Sequence, residues 1–75
     1  MMDNFSHVLL FKTDVNSNGD KLFLHSILDG ITAVEKWNLD LEDEDFVLRV
    51  VSSSLRHNAI IELLNHHGYN CEELT

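Results

Sequence analysis

The chain has little cysteine, proline and basic charge. It contains one cysteine and no proline among 75 residues, and 13 Asp and Glu residues against 5 Lys and Arg residues give a net charge of −8. A single cysteine excludes an intrachain disulfide, and with it the class of small secreted proteins stabilised by such bonds. The acidic balance argues against nucleic acid and anionic membranes as partners, because both are negatively charged.

Long apolar runs are scarce as well. No run approaches the roughly 20 residues of a membrane-spanning helix, and residues 1–4 lack the basic and apolar character of a signal peptide. Apolar residues nevertheless make up 44% of the chain, which is typical of a globular protein. We therefore expect one globular domain over residues 1–75, located in the cytoplasm.

The first half of the chain has the pattern of a strand followed by a helix. Alternating apolar residues predict a strand at about residues 7–15, in which Leu9 and Phe11 share one face. A loop rich in Asp, Asn and Ser follows. A helix over about residues 18–31, capped by Ser17, is predicted from the i, i+3, i+4, i+7 spacing of its apolar stripe, which consists of Leu24, Ile27, Leu28 and Ile31.

The second half repeats this pattern with one additional strand. Two alternating runs joined by a short polar loop predict a β-hairpin, with Trp37, Leu39 and Leu41 on one strand and Phe46, Leu48 and Val50 on the next. A helix over about residues 55–67 ends at Gly68, and a short strand at about 69–74 follows. The resulting order β-α-β-β-α-β predicts an α+β, ferredoxin-like two-layer sandwich. Its four-stranded antiparallel sheet would have the order 4-1-3-2, with both helices on one face.

Two segments carry a resemblance to a known family. Residues 34–42 begin at Val34 and continue as a β-rich run into an acidic turn, and His67-Gly68-Tyr69 follows the second predicted helix. With the lengths of the elements, these segments make the chain similar to the heavy-metal-associated domains of copper chaperones and metal-transporting ATPases. The similarity covers roughly residues 7–74 and implies the ferredoxin-like fold.

The metal-binding residues of that family are missing here. The resemblance places the family's Met-x-Cys-x-x-Cys loop, which binds Cu(I) or another soft metal, over residues 15–20. The methionine position is Val15, and the two cysteine positions are Ser17 and Asp20. Since a hydroxyl and a carboxylate are poor ligands for Cu(I), we expect a degenerate metal-binding loop and no cofactor.

Three further groups are candidate sites. His66, His67 and Cys71 could hold a divalent metal, although two adjacent helical side chains should diverge and Cys71 is expected to be a small buried apolar residue. An acidic turn could dock a basic partner, or could simply be a solvated tip; its members are Asp40, Glu42, Asp43, Glu44 and Asp45. The sheet face away from the helices could form an interface or a homodimer through Val8, Leu10, Val47 and Val51.

The motifs do not favour an enzyme. The sequence has no Gly-rich phosphate loop, nucleophile elbow or paired zinc motif. Acylphosphatases share the order of elements but need an arginine in the first loop, where this chain has neither Arg nor Lys. Three hypotheses remain: a non-enzymatic protein-interaction or regulatory module, a weak divalent metal binder using Asp, His and Cys71, and a small-ligand regulatory domain.

Overall fold

The chain folds into six elements that alternate around one sheet. A computed structural model describes residues 8–74, so the start of the first predicted strand, His7, lies outside the described residues. The elements are β1 (Val8–Thr13), α1 (Asn18–Leu28), β2 (Lys36–Leu39), β3 (Leu48–Val51), α2 (His57–His66) and β4 (Cys71–Glu73). The predicted order of strands and helices is therefore confirmed, although most elements are shorter than predicted.

The four strands form one antiparallel sheet in the order β2-β3-β1-β4. Counted from the opposite edge, this order is 4-1-3-2. The central strand β1 pairs with β3 at Val8↔Val51 through Phe11↔Leu48, and with β4 at Thr13↔Cys71. Because β1 is central, β2 and β4 are left as the two edges of the sheet.

One face of the sheet and both helices form a single apolar core. Strand residues alternate between the two faces, and Leu9, Phe11, Leu48 and Val50 are all buried. Each helix contributes two buried residues to the same cluster, namely Leu24 and Leu28 from α1 and Ile60 and Leu64 from α2. Both helices therefore cover the same side of the sheet, as predicted.

The predicted hairpin was wrong in its loop. β2 ends at Leu39 and β3 begins at Leu48, so Phe46 lies outside the strand at a left-handed φ of 47°. The cause is local side-chain bonding: Asp40 Oδ1 accepts the backbone N–H of Glu42 at 3.0 Å, and Asp43 Oδ1 accepts that of Asp45 at 2.8 Å. Such turns compete with ladder hydrogen bonds and lengthen the connection at the expense of both strands.

The start of α1 and the end of α2 lie close to their predicted positions, whereas the other two helix termini do not. The Ser17 cap is confirmed, and Gly68 follows α2 with a left-handed φ of 90°. α2 begins two residues later than predicted because the Ser52 hydroxyl accepts hydrogen bonds from the N–H groups of Ser54 and Leu55 and holds a turn there. α1 ends at Leu28 and not at residue 31. Within residues 8–74, neither helix is long and apolar enough to cross a membrane.

Candidate functional site

The first loop, between β1 and α1, contains the positions at which the resemblance places metal ligands. Val15 is fully buried in the core. The Ser17 hydroxyl accepts a hydrogen bond of 3.1 Å from the backbone N–H of Asp20 and thereby caps α1. The Asp20 carboxylate accepts a hydrogen bond of 2.9 Å from the Tyr69 hydroxyl. These side chains therefore stabilise the loop through intramolecular bonds.

A second set of hydrogen bonds joins this loop to the segment before β4. Asp14 accepts the backbone N–H of Asn70 at 2.9 Å and its side-chain amide at 3.0 Å, and donates its own N–H to the Asn70 carbonyl at 3.3 Å. Burial and the bond to Asp20 raise the pKa of Tyr69, since both favour the neutral hydroxyl. The loop is thus tied to the opposite end of the chain at two neighbouring points.

The His66, His67 and Cys71 group does not converge on a metal position. Cys71 is buried and free, and burial followed by the nearby charges of Glu72 and Asp14 raises the pKa of its thiol to about 12. The rings of His66 and His67 are nearly perpendicular with centroids 5.4 Å apart, and the His67 ring also lies 5.6 Å from the Phe23 ring. Among residues 8–74, no group of three or more His, Cys, Asp or Glu side chains is placed to hold a metal ion.

The acidic turn has a structural role in addition to its charge. The backbone carbonyl of Asp45 accepts the N–H of Thr13 at 3.1 Å, and the carbonyl of Phe46 accepts the Thr13 hydroxyl at 2.7 Å. Lys12 lies 3.9 Å from the Asp45 carboxylate. Glu42 and Glu44 remain exposed. The turn is therefore held against the end of β1, with its carboxylates distributed along one corner of the sheet.

The four apolar residues predicted for the uncovered sheet face lie there together. Val8 and Val51 are directly opposite each other across β1 and β3. Leu10 and Val47 are half-buried on the same face, with the exposed side chain of Arg49 opposite Leu10. In the part of the chain that the structure describes, no helix covers this face. The face is consequently apolar around Val8, Leu10, Val47 and Val51, with the exposed cation Arg49 beside them.

A shallow depression of about 320 Å³ lies on this face. Its lining combines apolar and polar side chains, namely Leu10, Val47, Leu74, Asn38, Arg49, Asp40 and Asp43. Two carboxylates of the acidic turn thus reach the rim of the uncovered sheet face. The acidic turn and the apolar face, which the sequence presented as separate candidates, form one continuous surface.

A cluster on the other side of β2 was only partly predicted. His25 and Asp29 lie four residues apart, a spacing that predicts a pair on one helix, and Nδ1 and Oδ2 of the two side chains are 2.9 Å apart. Trp37 joins it, because its indole nitrogen donates to Asp29 Oδ1 at 2.9 Å and its ring lies 4.8 Å from that of His25. The bonds from Trp37 and His25 lower the pKa of the Asp29 carboxyl. The alternation that groups Trp37 with Leu39 and Leu41 was the available signal, since a buried indole N–H usually finds an acceptor.

His57 is less exposed than a surface histidine would be. Its ring lies 5.2 Å from the Phe11 ring in an edge-on arrangement, and its Nε2 is 3.9 Å from a carboxylate oxygen of Glu73. In the sequence, no cysteine or acidic residue follows His57 four positions further on, which predicts a solvent-facing side chain. The half-buried ring instead helps to close the core where α2 begins.

Comparison with known proteins does not identify this chain. No protein-family model matches it, and neither a curated protein nor a solved structure matches it.

Proposed function

We propose that this chain is a ferredoxin-like, heavy-metal-associated-like domain that has lost the thiolate loop and acts as a non-enzymatic protein-interaction or regulatory module. The order of strands and the common side of both helices support the fold. The hydrogen bonds of Ser17 and Asp20 support the loss of metal binding, because they give both positions a structural use. The cytoplasm, expected from the composition, is the proposed compartment.

The surface around Arg49 carries this proposal. Specific interfaces combine an apolar centre with a polar rim and are rich in arginine. Here Leu10, Val47 and Leu74 supply the apolar wall, while Asp40 and Asp43 supply the rim. We name this set of residues, together with Arg49 and Asn38, the open-face surface.

The charge of the rim defines the partner. The acidic turn adds further carboxylates beside the open-face surface, so a partner with an apolar centre and basic flanks would be complementary to it. Oppositely charged rims mainly accelerate association, and their effect falls as salt is raised. The partner is therefore expected to be a basic protein surface that binds faster at low ionic strength.

The hypothesis of a divalent metal binder has weaker support. It needs Cys71 as a thiolate, but the raised pKa keeps the thiol protonated near neutral pH. The carboxylate of Asp14, whose charge contributes to the raised pKa of Cys71, is already bonded to Asn70. A titration with Zn²⁺, Ni²⁺ and Ca²⁺, followed by thermal unfolding, tests this hypothesis directly, and a stabilisation that saturates below about 100 µM metal would favour it.

The interaction hypothesis is tested with matched bait variants. The protein is used to recover partners from an extract of its source cells, beside Leu10→Lys and the double variant Asp43→Lys, Glu44→Lys. Glu62→Lys, a charge reversal at an exposed position on α2, is the control. Proteins recovered by the normal chain and the control but lost with both variants are purified, and their affinities are measured at low and high salt.

Two results would contradict the proposal. One is that Leu10→Lys and the acidic-turn variant, each verified as folded by circular dichroism, recover the same proteins as the normal chain. The other is that a purified candidate binds with no dependence on ionic strength.

A further inference from the structure

β2 leaves one edge of the sheet without a neighbouring strand among residues 8–74. Its inner side pairs with β3, and Asp40 extends this pairing by donating its N–H to the Val47 carbonyl at 2.9 Å. In an antiparallel pair, residues alternate between hydrogen-bonded and non-hydrogen-bonded positions. Because the backbone N–H of Asp40 points towards β3, the backbone groups of Asn38 and Lys36 point towards β3 as well. The backbone N–H and C=O groups of Trp37 and Leu39 therefore point to the free edge.

The side chains along this edge differ in charge from one end to the other. Lys36 begins β2, and Asp40 follows it, at the start of the acidic turn. Both are exposed, and both lie on the sheet face away from the helices because they share the parity of Asn38. A strand that is basic at one end and acidic at the other is complementary to a second copy of itself running in the opposite direction.

One register satisfies the backbone and the charges together. If Asn38 meets Asn38 of a second copy at a two-fold axis, Trp37 lies opposite Leu39 of that copy and the two residues can exchange hydrogen bonds. Lys36 then lies opposite Asp40 of the second copy, at a non-hydrogen-bonded position where side chains are closest. The symmetry repeats each contact, as an isologous interface requires.

The other edge of the sheet is less suited to such pairing. β4 has three residues, of which Glu72 and Glu73 are exposed. A second copy paired antiparallel there would place glutamates close to glutamates. Short edge strands whose charges all have one sign disfavour pairing with another strand. The β4 edge is therefore less able than the β2 edge to pair with a second copy.

The space beside β2 is open on both sides. Depressions of about 420 and 240 Å³ flank this strand, and both include Lys36, Trp37 and Asn38 in their lining. The larger one lies beside α1 at His25, and the smaller one lies beside Arg49 and Val51. An added strand would therefore lie beside α1 on one face of the sheet and beside the uncovered face on the other.

We propose that two copies of this chain associate antiparallel along β2, in the register that places Lys36 opposite Asp40 of the second copy, and form one continuous sheet. The dimer contact shares Asn38 and Asp40 with the open-face surface, but the inference does not rest on the partner proposed there. The contact is short, so the dimer is weak, and it should weaken further as salt is raised.

The decisive experiment uses two single charge reversals and their mixture. Lys36→Asp and Asp40→Lys each create two like-charged pairs in a homodimer, so each variant alone is expected to dimerise at least ~10-fold more weakly. Mixed in equal amounts, they restore opposite charges at both contacts, and the mixed dimer is expected to be within about threefold of the normal affinity. Analytical ultracentrifugation measures all three association constants.

Two charge-matched controls lie away from β2. Arg56→Asp and Glu62→Lys reverse exposed charges at the start of α2 and within it, and both are expected to dimerise as the normal chain does. Asp40→Asn removes the charge but keeps an oxygen for the bond from Glu42 N–H. This variant therefore separates the loss of the ion pair from damage to the acidic turn.

A second measurement needs no variant. The amides of Trp37 and Leu39 face the free edge in the single chain, whereas those of Lys36 and Asn38 already face β3. Raising the protein concentration through the dissociation constant should therefore slow hydrogen exchange at Trp37 and Leu39 specifically. A chain that is monomeric at about 1 mM in low salt, single variants that dimerise normally, a mixture without restoration, or unchanged exchange at Trp37 and Leu39 would each overturn the proposal.

Discussion

The indole nitrogen of Trp37 donates a 2.9 Å hydrogen bond to Asp29 Oδ1 and thereby joins β2 to the residue that ends α1. His25 bonds the other carboxylate oxygen at 2.9 Å, so one side chain accepts from a strand and from a helix. This arrangement fixes the position of α1 over the free edge of the sheet. It also makes the pH dependence of the contact predictable.

Acid should break this contact only below pH 3.8. The bonds from Trp37 and then His25 lower the pKa of the Asp29 carboxyl from 3.8, because they favour its ionised form. A lowered folded-state pKa contributes stability that is complete above the unfolded value and is lost as the pH falls through the folded one. The indole N–H resonance of Trp37, the only tryptophan, should therefore shift with a midpoint below 3.8.

Asp29→Asn is the matched control for that titration. Its amide oxygen still accepts the indole N–H but has no proton to gain, so the acid shift of the indole resonance should disappear. A midpoint at or above 3.8 in the normal chain, or the same shift in the variant, would show that another group controls this resonance.

Restoring two thiolates tests the resemblance to heavy-metal-associated domains. The double variant Ser17→Cys, Asp20→Cys places two cysteines, with two residues between them, at the positions expected for the family's loop. We expect it to bind Cu(I) in competition with a chromophoric chelator. The single variants and the normal chain should bind far more weakly, because Cu(I) prefers two soft ligands.

Without metal, the same double variant should have a lower free energy of unfolding than the normal chain. It loses the Ser17 cap, worth about 1 kcal/mol, and the hydrogen bond from Tyr69 to Asp20, worth about another 1 kcal/mol. Cu(I) should restore that stability. A folded double variant that binds Cu(I) no better than its single-cysteine controls would remove the basis for assigning residues 15–20 to the family's metal loop.

Cys71 should be almost inert towards alkylating reagents. Its pKa of about 12 compares with an ordinary value of 9.0, so near pH 8 its thiolate fraction, and with it the alkylation rate, should be roughly 10³-fold lower than for an ordinary thiol. The rate of reaction with iodoacetamide in native buffer, compared with the rate in denaturant, measures this difference. Equal rates in the two conditions would mean that the thiol is not buried in solution.

Two leucines on helices test the position of the core. Leu64 is fully buried, whereas Leu22 is 68% exposed. Leu64→Ala should lower the free energy of unfolding by about 2–5 kcal/mol through lost burial and an unfilled cavity, while Leu22→Ala should change it by less than about 0.5 kcal/mol. Urea unfolding followed by circular dichroism measures both, and similar losses for the two variants would contradict the placement of α1 and α2.

The order of elements and the buried faces could be predicted because they depend on periodicity. Leu9 and Phe11 alternate with outward residues, and Leu24 and Leu28 recur at helical spacing; the core contains all four. The prediction of a short hairpin loop was wrong for a different reason. Asp40 and Asp43 bond backbone groups two residues further on, and this local chemistry outweighs the alternation that continues through the turn.

The candidate sites were harder to predict because they depend on contacts between distant residues. The bond between Tyr69 and Asp20 spans 49 positions. The approach of Asp43 to Leu10 likewise depends on the lengthened hairpin. The four-residue spacing of His25 and Asp29 predicted their contact, because both belong to one helical segment. It could not predict the hydrogen bond from the Trp37 indole to Asp29, because Trp37 lies on a different element.

The central position of β1 has a consequence during synthesis. Its two neighbours are Leu48–Val51 and Cys71–Glu73. The apolar strand β1 is therefore synthesised well before the two strands with which it pairs. Pairing between segments so far apart is slow to nucleate. While a ribosome is still extending the chain, β1 is therefore an unpaired apolar strand that can aggregate with other chains. A chaperone that binds β1 until residue 73 has been synthesised should increase the yield of folded protein.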